Sequence, residues 1–339
     1  MRTLLALLFT ASLAIAQTCN DTSSHKRQFV EVEKGIALEV LDWGGTGRPI
    51  VLLAGSGNTA HIYDDFAPTL TGFGHVYGIT RRGFGASSRP QSGYSEQRLA
   101  DDILSVIEQL KIAKPVLVGH SMAGEELTPL GAQHSKLLGG LVYLAAGADP
   151  TDFPASNKEY MELAHRLPKG MQGGPPATEA DHNSVQAMSR WLDNRVRVHF
   201  PIGEICAANV ITREGRVEDF PDEERIHKLI GDGAQKRDYS HVSVPILDFV
   251  DGDCPAKPQT DVVCIENHKL NYVPKNDQER SAIDAFWAAT DIYIYRWMDQ
   301  MREAKAPVRF IDIPRSNHYV FLSNTAEVTR ELESFFKGL

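Results

Sequence analysis

Two periodicities run through this chain. Short runs of about five apolar residues, rich in Val, Ile and Leu, alternate with longer stretches that carry one apolar face. Residues 29–32 and 36–42 read as an opening hairpin that turns at Lys34-Gly35. Residues 49–53 form a buried-strand pattern ending in Gly55-Ser56-Gly57, and residues 75–80 form another, followed by Arg81-Arg82-Gly83-Phe84-Gly85. Further strands are expected at residues 115–118, 141–145, 242–250 and 308–313. Between them, Leu99, Ile103, Val106, Ile107 and Leu110 make a helical stripe, and residues 277–305 and 325–337 read as helices. Strands alternating with helices predict an α/β fold, a parallel sheet flanked by helices. The rhythm breaks after Asp149. Residues 150–240 are richer in charge, Pro and Gly, with helical patches at 157–166 and 182–198, and read as a helical insertion rather than an independent domain.

Composition narrows the function classes. The 339 residues are 42% apolar and 23% charged, ordinary for a water-soluble globular chain, and the net charge is −9. That charge disfavours nucleic acid and anionic membranes as partners. At the N-terminus, Arg2 precedes an apolar segment from Leu4 to Leu13, and Ala14-Ile15-Ala16 fits small-x-small cleavage. Residues 1–16 are therefore expected to be a signal peptide cut after Ala16, which predicts a secreted or periplasmic protein. The segment is too short for a stable anchor. None of the four cysteines forms a C-x-x-C pair or sits near histidine at ligand spacing, so no metal is expected. In an oxidising compartment a Cys254–Cys264 bridge is expected, leaving Cys19 and Cys206 as the remaining pair.

The chemistry centres on Gly119-His120-Ser121-Met122-Ala123-Gly124. It lies between a strand pattern and a helix start, where small neighbours allow a sharp turn that lifts a serine Oγ clear of the backbone. Ala123 stands where glycine is commoner. Arg81-Arg82 reads as a structural turn rather than an anion site. Trp191, Phe286, Trp287, Tyr293, Tyr295 and Trp297 are candidates for an acyl pocket or for ordinary helix packing.

The order of these features resembles the α/β-hydrolase superfamily, in particular its serine esterases. The hairpin, the Ala54-Gly55-Ser56-Gly57 turn, the Arg82-Gly83-Phe84-Gly85 turn and the Ser121 elbow follow one another, and the insertion and late strands come after them. The resemblance implies an eight-stranded, mostly parallel sheet with a helical lid inserted after the sixth strand. Residues 17–149 and 241–339 would then form the core and 150–240 the lid. It implies a triad in the order serine, acid, histidine: Ser121 as nucleophile and His318, in the loop after the last strand, as base. Asp253 is the expected acid, with Asp251 and Asp149 as rivals; Asp248, inside a strand, needs a partner. His120 is expected to pack beside the elbow. The backbone N–H groups of Ser56 and Met122 would form the oxyanion hole. A serine at the elbow argues against the epoxide hydrolases and haloalkane dehalogenases, which use aspartate there. The implied activity is cleavage of a small to medium carboxylic ester, a small-molecule substrate, without a cofactor. A ligand-binding relative with weak catalysis, a perhydrolase and a carbon–carbon bond hydrolase are the alternatives.

Overall fold

A computed structural model describes residues 19, 21–152, 158–169, 175–250, 262–264, 274–313 and 316–339, with 262–264 as backbone only. The strands are β1 (Lys26–Glu33), β2 (Ile36–Gly44), β3 (Arg48–Leu53), β4 (Gly74–Ile79), β5 (Val116–His120), β6 (Gly140–Leu144), β7 (Ile246–Val250), β8 (Val262–Cys264) and β9 (Val308–Asp312). They form one sheet in the order β1-β2-β4-β3-β5-β6-β7-β9-β8. The β1–β2 and β2–β4 pairs are antiparallel, and all the others are parallel. The eight strands expected from the resemblance are present, extended at one edge by the three-residue β8.

Side-chain alternation along β5 divides the core. Val116 and Val118 point to one face of the sheet and Leu117 to the other. Helix α1 (Glu96–Gln109) covers the Leu117 face with Ala100, Ile103, Val106 and Ile107. The Ser95 hydroxyl accepts a hydrogen bond from the Arg98 N–H and caps the helix. Helix α2 (Gly124–His134) follows the elbow. The helices between β6 and β7 are α3 (Lys158–Arg166), α4 (Val185–Val196), α5 (Ile202–Ala208) and α6 (Glu223–Gly233). A two-residue antiparallel pair, Val210–Ile211 with Val217–Glu218, lies among them. Helix α7 (Asp277–Met301) precedes β9, and α8 (Thr325–Lys337) closes the chain against the Val118 face through Val328 and Leu332.

Cys19 is bridged to Cys206 of α5, with Cα atoms 5.8 Å apart. The expected Cys254–Cys264 bridge lies outside the residues whose side chains are described. Among the described residues no helix is long and apolar enough to cross a membrane.

Candidate active site

Parallel register brings the reacting groups together. Leu53 at the end of β3 pairs with Gly119 near the end of β5, so the turn at residues 54–57 lies beside the elbow. Ser121 sits at φ +53°, in the left-handed region where a side chain is strained. A 3-10 turn, Ser121–Ala123, then leads into α2. The helix starts that close to the sheet because residue 124 has no side chain. A Cβ at Gly124 would stand 2.0 Å from the Ala146 carbonyl oxygen. Gly55 does the same for the neighbouring turn: a Cβ there would lie 2.8 Å from His120 Nδ1 and 3.1 Å from Ser121 Cβ.

His318 Nε2 lies 2.9 Å from Ser121 Oγ, within reach for proton transfer. The loop that carries it returns from β9, three strands away in the sheet, and is held at several points. Asn317 Nδ2 donates to the Val196 carbonyl at 2.6 Å, tying the loop to the end of α4. His120 is fully buried, which holds its pKa well below the ordinary range, an effect reinforced by the nearby His318. Its neutral ring donates from Nε2 to the His318 carbonyl oxygen at 3.0 Å and packs 4.8 Å from the His318 ring. His120 thus packs beside the elbow and also positions the neighbouring histidine.

Arg81 is a structural element, as its turn suggested. Its guanidinium donates to the Ala54 carbonyl at 2.9 Å and to the Gly55 carbonyl at 3.4 Å, and forks onto both carboxylate oxygens of Glu126 in α2. Arg82 bonds Asp102 in the same bidentate way. On the other side of the 54–57 turn, Glu204 of α5 accepts from Asn58 Nδ2 at 2.8 Å and from the Thr59 N–H at 3.1 Å. The Tyr319 hydroxyl donates to Asn58 Oδ1 at 3.1 Å and closes the ring of contacts around the site.

Ser56, Ser121, Met122 and His318 share the wall of a cavity of about 630 Å³. Tyr160, Phe286, Trp287, Tyr293 and Trp297 give it an aromatic lining. Trp191 instead faces an adjoining cavity bounded by Asn58 and Glu204, and Tyr295 does not line the dyad's cavity. Glu125 and Arg237 also line the dyad's cavity. Burial pushes the Glu125 carboxyl up to about 7, against the opposing pull of Arg237. Sequence reading missed this pair, because two acids at a helix start are an ordinary preference of the helix dipole.

The acid is less complete. Asp253 and Asp251 lie outside the described residues. Asp149 is committed elsewhere: Oδ1 accepts from the Thr151 N–H and hydroxyl, and Oδ2 accepts from the Arg237 N–H at 3.1 Å. Asp248 is fully buried within β7.

The chain is similar to known proteins. Residues 50–331 match the model of the alpha/beta hydrolase family. The AB hydrolase superfamily protein YisY of Bacillus subtilis (strain 168) is 32% identical over 122 residues, 35% of this chain and 45% of YisY. The esterase Rv0045c of Mycobacterium tuberculosis (strain ATCC 25618 / H37Rv) is 30% identical over 115 residues, 33% of this chain and 38% of the esterase. The chain thus spans less than half the length of either relative. The solved structure of E-2-(acetamidomethylene)succinate hydrolase superposes with a TM-score of 0.59 at 18% identity, covering 92% of this chain and 99% of that one. That likeness extends the fold over nearly the whole chain, while the match to the family model spans most of it. The chain belongs to the alpha/beta hydrolase family.

Proposed function

We propose that the protein is a serine hydrolase that cleaves a small to medium carboxylic ester through an acyl-enzyme on Ser121. The observation that carries this reading is the 2.9 Å contact between His318 Nε2 and the Oγ of a serine held at φ +53°. Ser121 Oγ attacks the ester carbonyl as His318 Nε2 takes its proton. The backbone N–H groups of Ser56 and Met122 stabilise the oxyanion of the tetrahedral intermediate. Collapse expels the alcohol, protonated by His318, and leaves the acyl group on Ser121. Water, deprotonated by His318, then releases the acid. Asp253 is the residue we assign to orient His318 and to stabilise its imidazolium, with Asp251 as its rival.

The aromatic lining favours an apolar acyl or alcohol group, and the cavity volume suits a small to medium ester. The N-terminal segment supports export with cleavage after Ala16, and the Cys19–Cys206 bridge favours an oxidising compartment.

The test is turnover of p-nitrophenyl esters from acetate to decanoate, set against the matching p-nitroanilides. The expected result is preference for esters, a maximum at short to medium acyl length, and a loss of at least ~10³-fold in Ser121→Ala. Anilides cleaved as fast as esters would move the reading to amides. Ester turnover unchanged in Ser121→Ala would overturn it.

A further inference from the structure

Away from the catalytic cavity, Asp21, His25, His61 and Asp64 converge beneath α5. Each offers one ligand atom, and these atoms all lie within 4.8 Å of one another. Their contacts close a ring in which Asp64 faces His25 with Oδ1 and His61 with Oδ2. His25 Nε2 lies 3.0 Å from Asp21 Oδ2 and 3.5 Å from Asp64 Oδ1. His61 Nδ1 lies 3.2 Å from the same Asp21 oxygen and 3.1 Å from Asp64 Oδ2. We propose that this ring is a structural zinc-type site with two imidazole and two carboxylate ligands.

Geometry and stoichiometry argue for a cation over a network of ion pairs. Zinc holds nitrogen and oxygen donors at about 2.0–2.2 Å, so the edges of its tetrahedron are roughly 3.3–3.6 Å; with Asp64 Oδ1 as the ligand atom, three edges here measure 3.0, 3.2 and 3.5 Å. A hydrogen-bonded ring serves the same atoms less well. The one proton at His61 Nδ1 cannot point at two carboxylates at once, and Asp21 Oδ2 faces both rings. Asp64 supplies an independent sign. Its carboxylate is buried, yet Oδ1, turned towards His25, accepts no hydrogen bond. A buried oxygen left so is costly unless a cation serves it. Two carboxylates balance a divalent charge and ease its burial, with the metal displacing the proton that His61, despite its burial, otherwise holds up to about 10 beside Asp64 and Glu39.

The surroundings fit a metal ligand set. Glu39 Oε1 stands 3.7 Å from His61 Nε2 and is itself fixed by Arg27 Nε at 2.7 Å. An N–H at Nε2 facing a carboxylate leaves the Nδ1 lone pair for the metal, a common orientation of ligating histidine. Gly203 of α5 makes the roof: a Cβ there would lie 2.4 Å from Asp64 Oδ2. Asp21 is partly exposed and gives the ion a route from solvent. Cysteine spacing gives no sign of this site, because its donors are histidine and aspartate from two separate segments. N and O donors in a tetrahedron suit zinc better than magnesium or calcium.

Bound metal would join the segment after Cys19 to the turn Ala60–Tyr63, which follows the 54–57 turn. The test uses the full chain, stripped with EDTA and titrated with zinc chloride, with metal content read by mass spectrometry after dialysis. One zinc per chain and a raised melting temperature are expected. His25→Ala should weaken binding at least ~tenfold, while His199→Ala, at an exposed pair with Asp193, should leave it unchanged. Cobalt(II) in the unaltered protein checks the geometry without any substitution, through the intense visible bands of a tetrahedral ion. Weak octahedral bands, no retained zinc, or full binding by His25→Ala would overturn the assignment.

Discussion

At the scale of single residues, the proposed chemistry turns on an unfavourable backbone angle and a short contact. Ser121 is held at φ +53° by the structure around it, and its Oγ meets His318 Nε2 at 2.9 Å. Glu125, on the same cavity, carries a different consequence. In the folded chain it keeps its proton up to about 7, against an ordinary value of 4.5. Arg237 and Arg81 pull that value down, and burial, Glu126 and Glu96 push it up. Between those two values the folded state binds more protons than the unfolded one, so this group makes stability fall as pH rises. The slope is at most about 1.4 kcal/mol per pH unit. Glu125→Gln should flatten it, as checked by urea denaturation at pH 5, 6 and 7; an unchanged slope would contradict the assignment. Ser121 and His318 were legible because each has a fixed place relative to a strand end. The acid was not, because Asp251 and Asp253 stand two residues apart in the sequence after one strand pattern and Asp149 follows another, and spacing alone does not separate them.

At the scale of elements, the 54–57 turn is clamped between two helices. Arg81 ties its carbonyls to α2 through Glu126, and Glu204 ties Asn58 and Thr59 to α5. Arg81→Met should cost about 3–5 kcal/mol, because it leaves Glu126 buried and unpaired. Arg81→Met combined with Glu126→Leu should recover much of that stability but not kcat, since Ala54 and Gly55 still lose their donor. Denaturation and ester turnover on both variants separate the two effects, and full recovery of kcat would remove the clamp from the account. Gly124→Ala should destabilise by about 1–3 kcal/mol, as its Cβ meets the Ala146 carbonyl; a neutral denaturation midpoint would contradict that packing. The sheet strands and the α1 stripe were readable from their apolar periods. Helices α5 and α6 were not: α5 has seven residues, too few for a period to stand out, and it holds its place through Glu204 and a disulfide. Those are tertiary contacts, invisible to local patterning.

At the scale of the whole molecule, the N-terminal segment and the helical insertion lock the core from one side. The Cys19–Cys206 bridge closes a loop with a sequence separation of 187. On the chain-entropy account such a bridge stabilises by up to about 5 kcal/mol. Cys206→Ala should therefore lower the denaturation midpoint substantially, and a midpoint equal to that of the unaltered protein would show the bridge to be thermodynamically idle. The same bridge anchors α5, so the loss should also slow ester turnover through the Glu204 contacts. The central claim is that Ser121 is an activated nucleophile. Its most direct test is labelling of the purified protein with a fluorophosphonate probe, followed by peptide mass spectrometry and with Ser121→Ala as control. The account predicts a single adduct on Ser121, absent from the variant. Labelling elsewhere, or none on a protein shown to be folded, would contradict it.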